Sequence, residues 1–403
     1  MPPKPGAVAE SSCADQARAG DGRRSPTTYN IRAFAPVLDA LLLAFVLPNR
    51  FFTPMRFVDG STGARIPFTD CLLAMTDDSI ILGADLGATN VEVAAVRDGE
   101  VLAASKTKSR PKEGVDAVLD RIESTVRDVI DDMSAESSDF AALCIGAPGT
   151  VETKTGIVRA APNLGWNNVP LGDELHDRLG LPVMVANDVN IGVLGEHVYG
   201  AGKGALNMVG IFVGSGIGGG VIIDGTLHEG WRGAAGEIGH MVVQPQGRPC
   251  GCGRLGCVEA YASKTAMEAI IREEMERGRT TDVFDIMEAK GKRKLTSSVI
   301  EASLEAEDAL MEEAMQQAQY YLGLLTANLV NVLDPEVIVY GGGVVERLGE
   351  SFIKPIARTA RSHFLQRRDA ERIRLVPSAL GDDAGPVGAA VVAQRQLRAA
   401  IGS

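Results

Sequence analysis

Four potential metal ligands lie close together between residues 240 and 257. His240 is followed by Cys250, Cys252 and Cys257, so half of the six cysteines in the chain fall within eight residues. One imidazole and three thiolates at this short spacing are typical of a closed, four-coordinate zinc site. A Cys-x-x-Cys redox pair is missing from this stretch, and a disulfide among three cysteines would leave one thiol unpaired. The spacing therefore predicts a structural zinc ion.

Two carboxylates flank the predicted zinc loop. Glu237 precedes His240 by three residues, and Glu259 follows Cys257 by two. Because a zinc ion with four protein ligands has no open position for catalysis, we interpret it as a clamp that orients Glu237 and Glu259. Carboxylates that converge on one point suit a ligand with several hydroxyl groups, such as a sugar.

A third acidic position follows a buried strand. The apolar run "LPVMVAND" ends in Asn187 and Asp188, where the sequence turns to a helical pattern. Open α/β sheets bind ligands at such strand ends. Asp188 is our candidate general base for deprotonation of an alcohol, with Asn187 orienting the hydroxyl. Helix capping is the alternative, because Asn and Asp are favoured N-caps.

Glycine-rich turns predict a phosphate site. "GADLGATN" at 83–90 and "GSGIGGG" at 214–220 offer small residues where a phosphate chain must approach the backbone. Asp85 and Thr89 add a carboxylate and a hydroxyl for phosphate and water-bound Mg²⁺. A simple β-hairpin remains the alternative for the first turn taken alone. A third cluster, at 341–343, fits an adenine ring resting on backbone.

The elements that must hold these residues alternate between strands and helices. Three strands joined by tight turns are predicted over 79–109, followed by an amphipathic helix at about 114–133. Strand, glycine turn and strand recur weakly at 206–230, which indicates two related halves. A long apolar-striped helix is predicted at 309–333, and a final helix at 385–401. This alternation is typical of an α/β architecture.

The overall composition favours a small-molecule partner. The chain has 403 residues and a formal net charge of −12, which argues against a surface that neutralises nucleic-acid phosphates. Its cysteines outside the zinc loop are widely scattered, so a disulfide framework is not predicted and a reducing cytoplasm is the expected location.

Residues 1–78 differ from the rest. They contain eight of the 19 prolines, and eight Lys or Arg balance eight Asp or Glu. The apolar run at 37–47 is too short to span a bilayer, so neither a membrane anchor nor a signal peptide is predicted. We expect a poorly ordered leader whose best candidate element is a short helix at 36–47. A start site assigned too far upstream is the alternative, since Met75 stands just before the first strand.

Taken together, these motifs resemble the repressor, open reading frame and kinase (ROK) family, in particular its bacterial glucokinase-like sugar kinases. "GADLGATN", "AND", "GSGIGGG", "GWRGAAGEIGH" and "CGCGRLGCVEAYAS" carry the resemblance, which covers nearly all of 79–403. It implies the two-domain actin-like ATPase fold, ribonuclease H-like and hexokinase-type, with duplicated βββαβαβα halves. It also implies ATP-dependent phosphorylation of a hexose, most simply glucose to glucose 6-phosphate.

The resemblance also implies a role for each matching residue. The catalytic aspartate is Asp188. The sugar-binding residues are Asn163, Asn187, Asp188, Glu237, His240 and Glu259. The nucleotide-binding residues are Asp85, Gly87, Ala88, Thr89, Asn90, Gly214, Ser215, Gly216, Gly218, Gly219, Gly341, Gly342 and Gly343. The zinc ligands are His240, Cys250, Cys252 and Cys257. The expected cofactors and co-substrate are therefore ATP, Mg²⁺ and a structural Zn²⁺.

The expected domains follow from the same resemblance. A smaller α/β domain at 79–186 is completed by the final helix at 385–401, and a larger domain at 187–384 carries the zinc loop. A homodimer is expected, with no nucleic-acid or membrane partner. Ala88 departs from the family pattern, in which a second glycine is frequent at that point, so the first hairpin is expected to be stiffer.

Two functional alternatives remain open. The repressors of the family carry an N-terminal DNA-binding extension of a length comparable to 1–78, so a sugar-responsive transcriptional regulator is the main alternative. A reading head needs two helices at a short turn and a basic face, whereas this leader is interrupted by prolines and charge-balanced, which favours the enzyme. Another hexose, such as fructose, allose or an N-acetylated hexosamine, is the second alternative.

Overall fold

The computed structural model describes residues 79–401. The predicted leader at 1–78 and its helix at 36–47 lie outside the described residues. All of the described residues belong to one compact unit. A boundary between two domains at 186/187 therefore stays a prediction.

Thirteen strands are present among residues 79–401, and most of them are short and buried. They are β1 (Ile80–Leu86), β2 (Asn90–Arg97), β3 (Glu100–Lys108), β4 (Phe140–Ala147), β5 (Thr150–Glu152), β6 (Ile157–Ala161), β7 (Trp166–Val169), β8 (Val183–Asn187), β9 (Met208–Val213), β10 (Ile217–Ile223), β11 (Thr226–Leu227), β12 (Val337–Gly341) and β13 (Arg374–Pro377).

Eleven α-helices occur in the same part of the chain. They are α1 (Val115–Asp132), α2 (Leu171–Leu179), α3 (Asp188–Val198), α4 (Glu259–Ala262), α5 (Lys264–Glu276), α6 (Val283–Ala289), α7 (Ser297–Glu305), α8 (Ala309–Leu333), α9 (Gly343–Leu348), α10 (Glu350–Ser362) and α11 (Ala384–Ile401).

Two five-stranded sheets share one topology. The first has the order β3-β2-β1-β4-β8 and the second β11-β10-β9-β12-β13. In each sheet the central strand pairs antiparallel with the next strand of its hairpin and parallel with the strand on its other side. The weak sequence repeat therefore corresponds to two structurally equivalent halves, and the predicted α/β architecture is confirmed.

Apolar periodicity explains the layers around the first sheet. Helix α1 buries Val118, Ile122 and Val126 on one face, at helical spacing, and this face joins the core of β1 and β4. A small three-stranded sheet, β5-β6-β7, extends the same core on the side where Trp166 is buried. This small sheet was not predicted from the sequence, because its strands are only three to five residues long.

Helices α3 and α11 lie between the two sheets. Both helices contribute to a core that includes Ile81 and Cys144 of the first sheet, and to one that includes Met208 and Val339 of the second. A side chain at Gly388 of α11 would collide with the backbone of α3, so glycine is required for this close helix contact. The strand-end residue Asp188 starts α3, so packing of α3 against both sheets fixes its position.

The predicted long helices agree with the structure. The helix expected at 114–133 spans Val115–Asp132, and the helix expected at 309–333 spans Ala309–Leu333. The final helix, expected at 385–401, spans Ala384–Ile401 and packs on the first sheet. None of the described helices is both long enough and apolar enough to cross a lipid bilayer.

Candidate active site

A cleft of about 830 Å³ opens beside the start of α3. Its walls come from the turn after β4, the start of α3, the β9–β10 hairpin and the segment 229–240. Eleven of the residues singled out from the sequence line this one cleft, which makes it the candidate active site. They are Asn163, Asn187, Asp188, Gly214, Gly216, Gly218, Gly219, Glu237, His240, Glu259 and Gly342.

The remaining predicted residues do not line this cleft. The first hairpin forms the β1–β2 turn and lies outside the lining, as do the three cysteines and three residues of the other glycine turns. These residues are Asp85, Gly87, Ala88, Thr89, Asn90, Ser215, Cys250, Cys252, Cys257, Gly341 and Gly343. The structure therefore brings the predicted sugar contacts together more closely than the predicted nucleotide contacts.

Asp188 is a partly buried residue at the first turn of α3. Its Oδ1 accepts the Val189 backbone N–H at 2.9 Å. Burial raises its pKa from 3.8 to about 6, and the nearby negative charge of Glu237 adds to this rise. A carboxylate with a pKa of about 6 is mostly ionised at neutral pH but accepts a proton more readily than an ordinary aspartate.

Asn187 fills the capping role that was the alternative for this dipeptide. It is the N-cap of α3, and its Oδ1 accepts the Asn190 backbone N–H at 3.0 Å. Its Nδ2 donates to Gly149 O at 3.1 Å. Because that amide carries two N–H groups, the second is available to a ligand in the cleft. Helix capping fixes the side chain of Asn187 and is therefore compatible with its predicted role in orienting a hydroxyl group. Asp188 is not the N-cap, so it can act as the general base.

Asp85 is a second carboxylate in a desolvated position, close to Asp188. Its Oδ1 is buried and has no hydrogen-bond partner among the residues that the structure describes. Burial, followed by the charges of Asp188 and Glu92, raises the pKa of Asp85 to about 8. A buried carboxylate oxygen without a partner suits a cation or a hydrated cation.

The first turn of α11 lies directly against Asp85. A side chain at Gly385 would approach Asp85 Cβ within 2.9 Å, so the contact requires glycine at this point of the helix. The N-terminus of an α-helix is electropositive, which favours a negative charge on Asp85.

The second hairpin uses its glycines in two different ways. A Cβ at Gly218 would meet Val189 at 2.5 Å, and one at Gly219 would collide with Ile238, so these two glycines allow β10 to pack against α3 and the segment before His240. Gly214 lies at the turn, where its N–H donates to Gly216 O at 2.9 Å and an added Cβ would meet only that oxygen, at 3.8 Å. The open turn at Gly214 therefore leaves space for a ligand, while the glycines of the strand serve packing.

The four predicted zinc ligands form one cluster. Their ligand atoms all lie within 4.8 Å of one another. Cys250 Sγ is 3.6 Å from His240 Nδ1, and Cys252 Sγ is 3.7 Å from Cys257 Sγ. Zinc–sulfur bonds of about 2.3 Å in a tetrahedron place sulfur atoms about 3.8 Å apart. The donor set and its spacing therefore fit a zinc ion.

Glu259 connects this cluster to the second hairpin. Its Oε2 accepts the Ile217 backbone N–H at 2.9 Å, and its Oε1 lies 3.6 Å from Cys250 Sγ. The loop is further fixed from outside, since Arg248 forms a two-pronged ion pair with Glu273 of α5 at 2.8 and 2.5 Å. The carboxylate of Glu259 therefore connects the metal loop directly to the cleft.

Sequence reasoning missed much of the rim of the cleft. The rim includes the segment after β4 at 148–154, which contains β5, and the loop at 229–236. Trp231 in this loop is 96% exposed, which is unusual for a tryptophan. The motif "GWRGAAGE" contains it, and the glycines around an aromatic residue were the signal that could have identified a binding loop.

Comparison with known proteins assigns the chain to a family. The model of the ROK family matches residues 81–396, which is most of the chain. This chain belongs to the ROK family. The prediction made from the sequence motifs is therefore confirmed. So is the predicted fold, the actin-like ATPase fold of ROK hexokinases with duplicated halves.

Relatives within the ROK family include both enzymes and regulators. The glucokinase of Halalkalibacterium halodurans is 35% identical over 322 residues, covering 79% of this chain and 96% of that protein. The crystal structure of a ROK family glucokinase from Streptomyces griseus in complex with glucose and AMPPNP has a TM-score of 0.69 and 31% identity, covering 79% of this chain and 100% of the other. The xylose repressor of Caldicellulosiruptor bescii is 30% identical, covering 73% of each chain.

Proposed function

We propose that this ROK protein is an ATP-dependent hexose kinase that converts glucose to glucose 6-phosphate. The observation that carries the proposal is Asp188, a partly buried carboxylate with its pKa raised to about 6, in a cleft shared with Asn187, Glu237 and Glu259. Two relatives of known activity that match nearly the whole described chain, one of them a solved structure, are glucokinases.

The chemistry requires an alcohol to become a nucleophile. Asp188 accepts the proton of the sugar's primary hydroxyl as its oxygen attacks the terminal phosphoryl group of ATP in line. Asn187, held by its hydrogen bonds to Gly149 and Asn190, orients that hydroxyl. Glu237, His240, Glu259 and Asn163 bind the other sugar hydroxyls and keep the reacting oxygen within reach of Asp188.

The phosphates of ATP bind between the two glycine hairpins. Backbone N–H groups around Thr89 and Gly214 donate to them, and Gly342 and its neighbours accommodate the adenine. Magnesium, when bound, neutralises the phosphate charge and supports an in-line geometry. Asp85 would hold this hydrated ion, because its buried Oδ1 lacks a partner in the described part of the chain.

The zinc ion has a structural role in this proposal. His240, Cys250, Cys252 and Cys257 would hold it, and it would supply rigidity instead of catalysis. Glu259 then keeps its contact with the second hairpin, and the ring of His240 faces the cleft. Loss of the ion should loosen both sides of the sugar site.

The test is a phosphorylation assay on the full chain over a panel of hexoses. ATP consumption is coupled to a chromogenic reaction for glucose, mannose, fructose, allose and N-acetylglucosamine. Formation of glucose 6-phosphate, with a kcat/KM for glucose at least tenfold above the others, would support the proposal. A preference for another hexose would change the substrate and retain the reaction class, whereas no product from any sugar would remove the kinase.

A sugar-responsive regulator is the second candidate, because a xylose repressor matches the same part of the chain at 30% identity. In this alternative the ROK body binds a sugar without transferring phosphate. Sugar binding by calorimetry without product, together with sugar-dependent retention of DNA from its own upstream region, would favour it. A cytoplasmic location, a homodimer and the absence of a nucleic-acid partner also stay proposals.

A further inference from the structure

We propose that Trp231 is the lid of the sugar site, and that its indole ring covers the C–H face of the bound pyranose. The proposal rests on the proposed function, because it assigns a further binding residue to the same cleft. Three observations carry it: the exposure of Trp231, the construction of its loop, and the position of the loop at the rim.

Exposure of this side chain is the first observation. The chain contains two tryptophans, of which Trp166 is 4% exposed and Trp231 is 96% exposed. An indole ring carries a large apolar surface and is rarely left in water without a binding role. Since Trp231 lines the cleft, a ligand in the cleft is the nearest partner that can cover it.

The loop that carries Trp231 is hydrogen-bonded at its base and more weakly at its tip, where Gly233 N donates to Gly230 O at 3.4 Å. At the base, Ala235 N donates to Glu229 O at 3.0 Å. Gly230 and Gly233, with φ angles of 75° and 66°, stand on both sides of the tip. Positive φ is accessible to glycine at little cost, so the tip can change direction while its base stays fixed.

The base of the loop is attached to the floor of the cleft. A side chain at Gly236 would approach Gly219 O of β10 within 2.6 Å, so the end of the loop lies directly on this strand. Glu237, a proposed sugar ligand, is the next residue. A movement of the tip therefore brings Trp231 over the space that Glu237 faces.

The chemistry of a pyranose suits this arrangement. Its hydroxyl groups lie around the ring edge, where Glu237 and Glu259 can bind them, and its C–H groups form apolar faces. An aromatic ring that covers such a face removes apolar surface from water and so strengthens binding of the sugar. Trp231 adds an aromatic cover to a cleft whose proposed sugar ligands are polar.

The first test measures the exposure of the indole in solution. Quenching of tryptophan fluorescence by acrylamide is followed in the full-length protein with and without saturating glucose. We expect strong quenching in the free protein and at least twofold weaker quenching with glucose. In Trp231→Phe the only indole is the buried Trp166, so both the strong quenching and its protection by glucose should disappear.

The second test separates sugar binding from catalysis. Trp231→Ala should raise the KM for glucose about tenfold, as expected for loss of one aromatic contact, with kcat changed less than threefold and the KM for ATP unchanged. Trp231→Phe should restore most of the affinity, because it keeps an aromatic ring. Leu365→Ala is the matched control, since Leu365 is 87% exposed and lies outside the cleft.

Several outcomes would overturn the proposal. If calorimetry shows that glucose binds and product forms, but glucose does not protect Trp231 or its replacement leaves the KM unchanged, the lid is wrong and the kinase stands. A higher KM for ATP alone would place the indole on the nucleotide. Indole protection in the free protein would place it in an interface between copies. No binding of glucose would overturn the lid and the proposed function together.

Discussion

Replacement of Asp188 by asparagine tests the proposed base. The change keeps the size of the side chain and an oxygen that can accept the Val189 N–H, which now lies 2.9 Å from Oδ1. It removes the group that accepts a proton. With a pKa of about 6, Asp188 is ionised in roughly 97% of molecules at pH 7.5, so almost the whole population of wild-type protein loses its base.

The expected loss is about 10²- to 10⁴-fold in kcat, which corresponds to about 3 to 5 kcal/mol of transition-state stabilisation. Glucose affinity should change less than threefold, because asparagine keeps the shape of the side chain and its ability to form hydrogen bonds with the sugar. Coupled kinetics give kcat, and titration calorimetry gives the Kd for glucose. Asp173→Asn, at an exposed position in the first turn of α2, controls for loss of one negative charge. A kcat within tenfold of the wild type would refute the assignment of Asp188.

The remaining predictions concern pH and metal. Because burial raises the pKa of Asp188 to about 6 and the base acts when ionised, kcat/KM should fall tenfold per pH unit below about pH 6; a decline that starts only near pH 4 would contradict this. Elemental analysis should find one zinc per chain. Removal of the zinc by a chelator should lower the melting temperature and weaken glucose binding at least tenfold. Unchanged glucose binding by metal-free protein would contradict the proposed structural role of zinc. The pKa of Asp85 is raised to about 8, so its ionisation costs folding stability as pH rises from about 4 to 8. Asp85→Asn should therefore raise the melting temperature more at pH 8 than at pH 5 in magnesium-free buffer, and an equal shift at both would contradict the burial argument.

The zinc cluster could be predicted from the sequence because its ligands are close together along the chain. His240 and the three cysteines span only 18 residues, so any compact loop brings them near one another, and their chemistry is nearly unique. The alternating strands and helices were predicted for a similar reason. Long apolar stripes such as that of α8 depend on local periodicity, which tertiary contacts do not override.

The glycine-rich strand shows where the sequence was less informative. The glycines of "GSGIGGG" were interpreted together as a route for ligand approach, but the space above Gly218 and Gly219 is taken by Val189 and Ile238. A glycine that allows contact with a ligand and one that allows contact with another element have the same sequence signature. Only the fold distinguishes them.

The environments of Asp85 and Trp231 could not be predicted from the sequence either. The proximity of Asp85 to Asp188 depends on the packing of β1 against β4 and of α11 against both, which joins residues about 300 positions apart. In the same way, Trp231 has an apolar side chain that a sequence pattern would place inside. Its exposure at the rim of the cleft follows from the short glycine-flanked loop that carries it.

The most direct test of the account is a crystal structure with glucose and a non-hydrolysable ATP analogue. We expect the primary hydroxyl of glucose within about 3.2 Å of an Asp188 carboxylate oxygen, with Glu237 and Glu259 on other hydroxyls of the same sugar. A glucose molecule bound elsewhere, or one in this cleft whose primary hydroxyl is remote from Asp188, would contradict it.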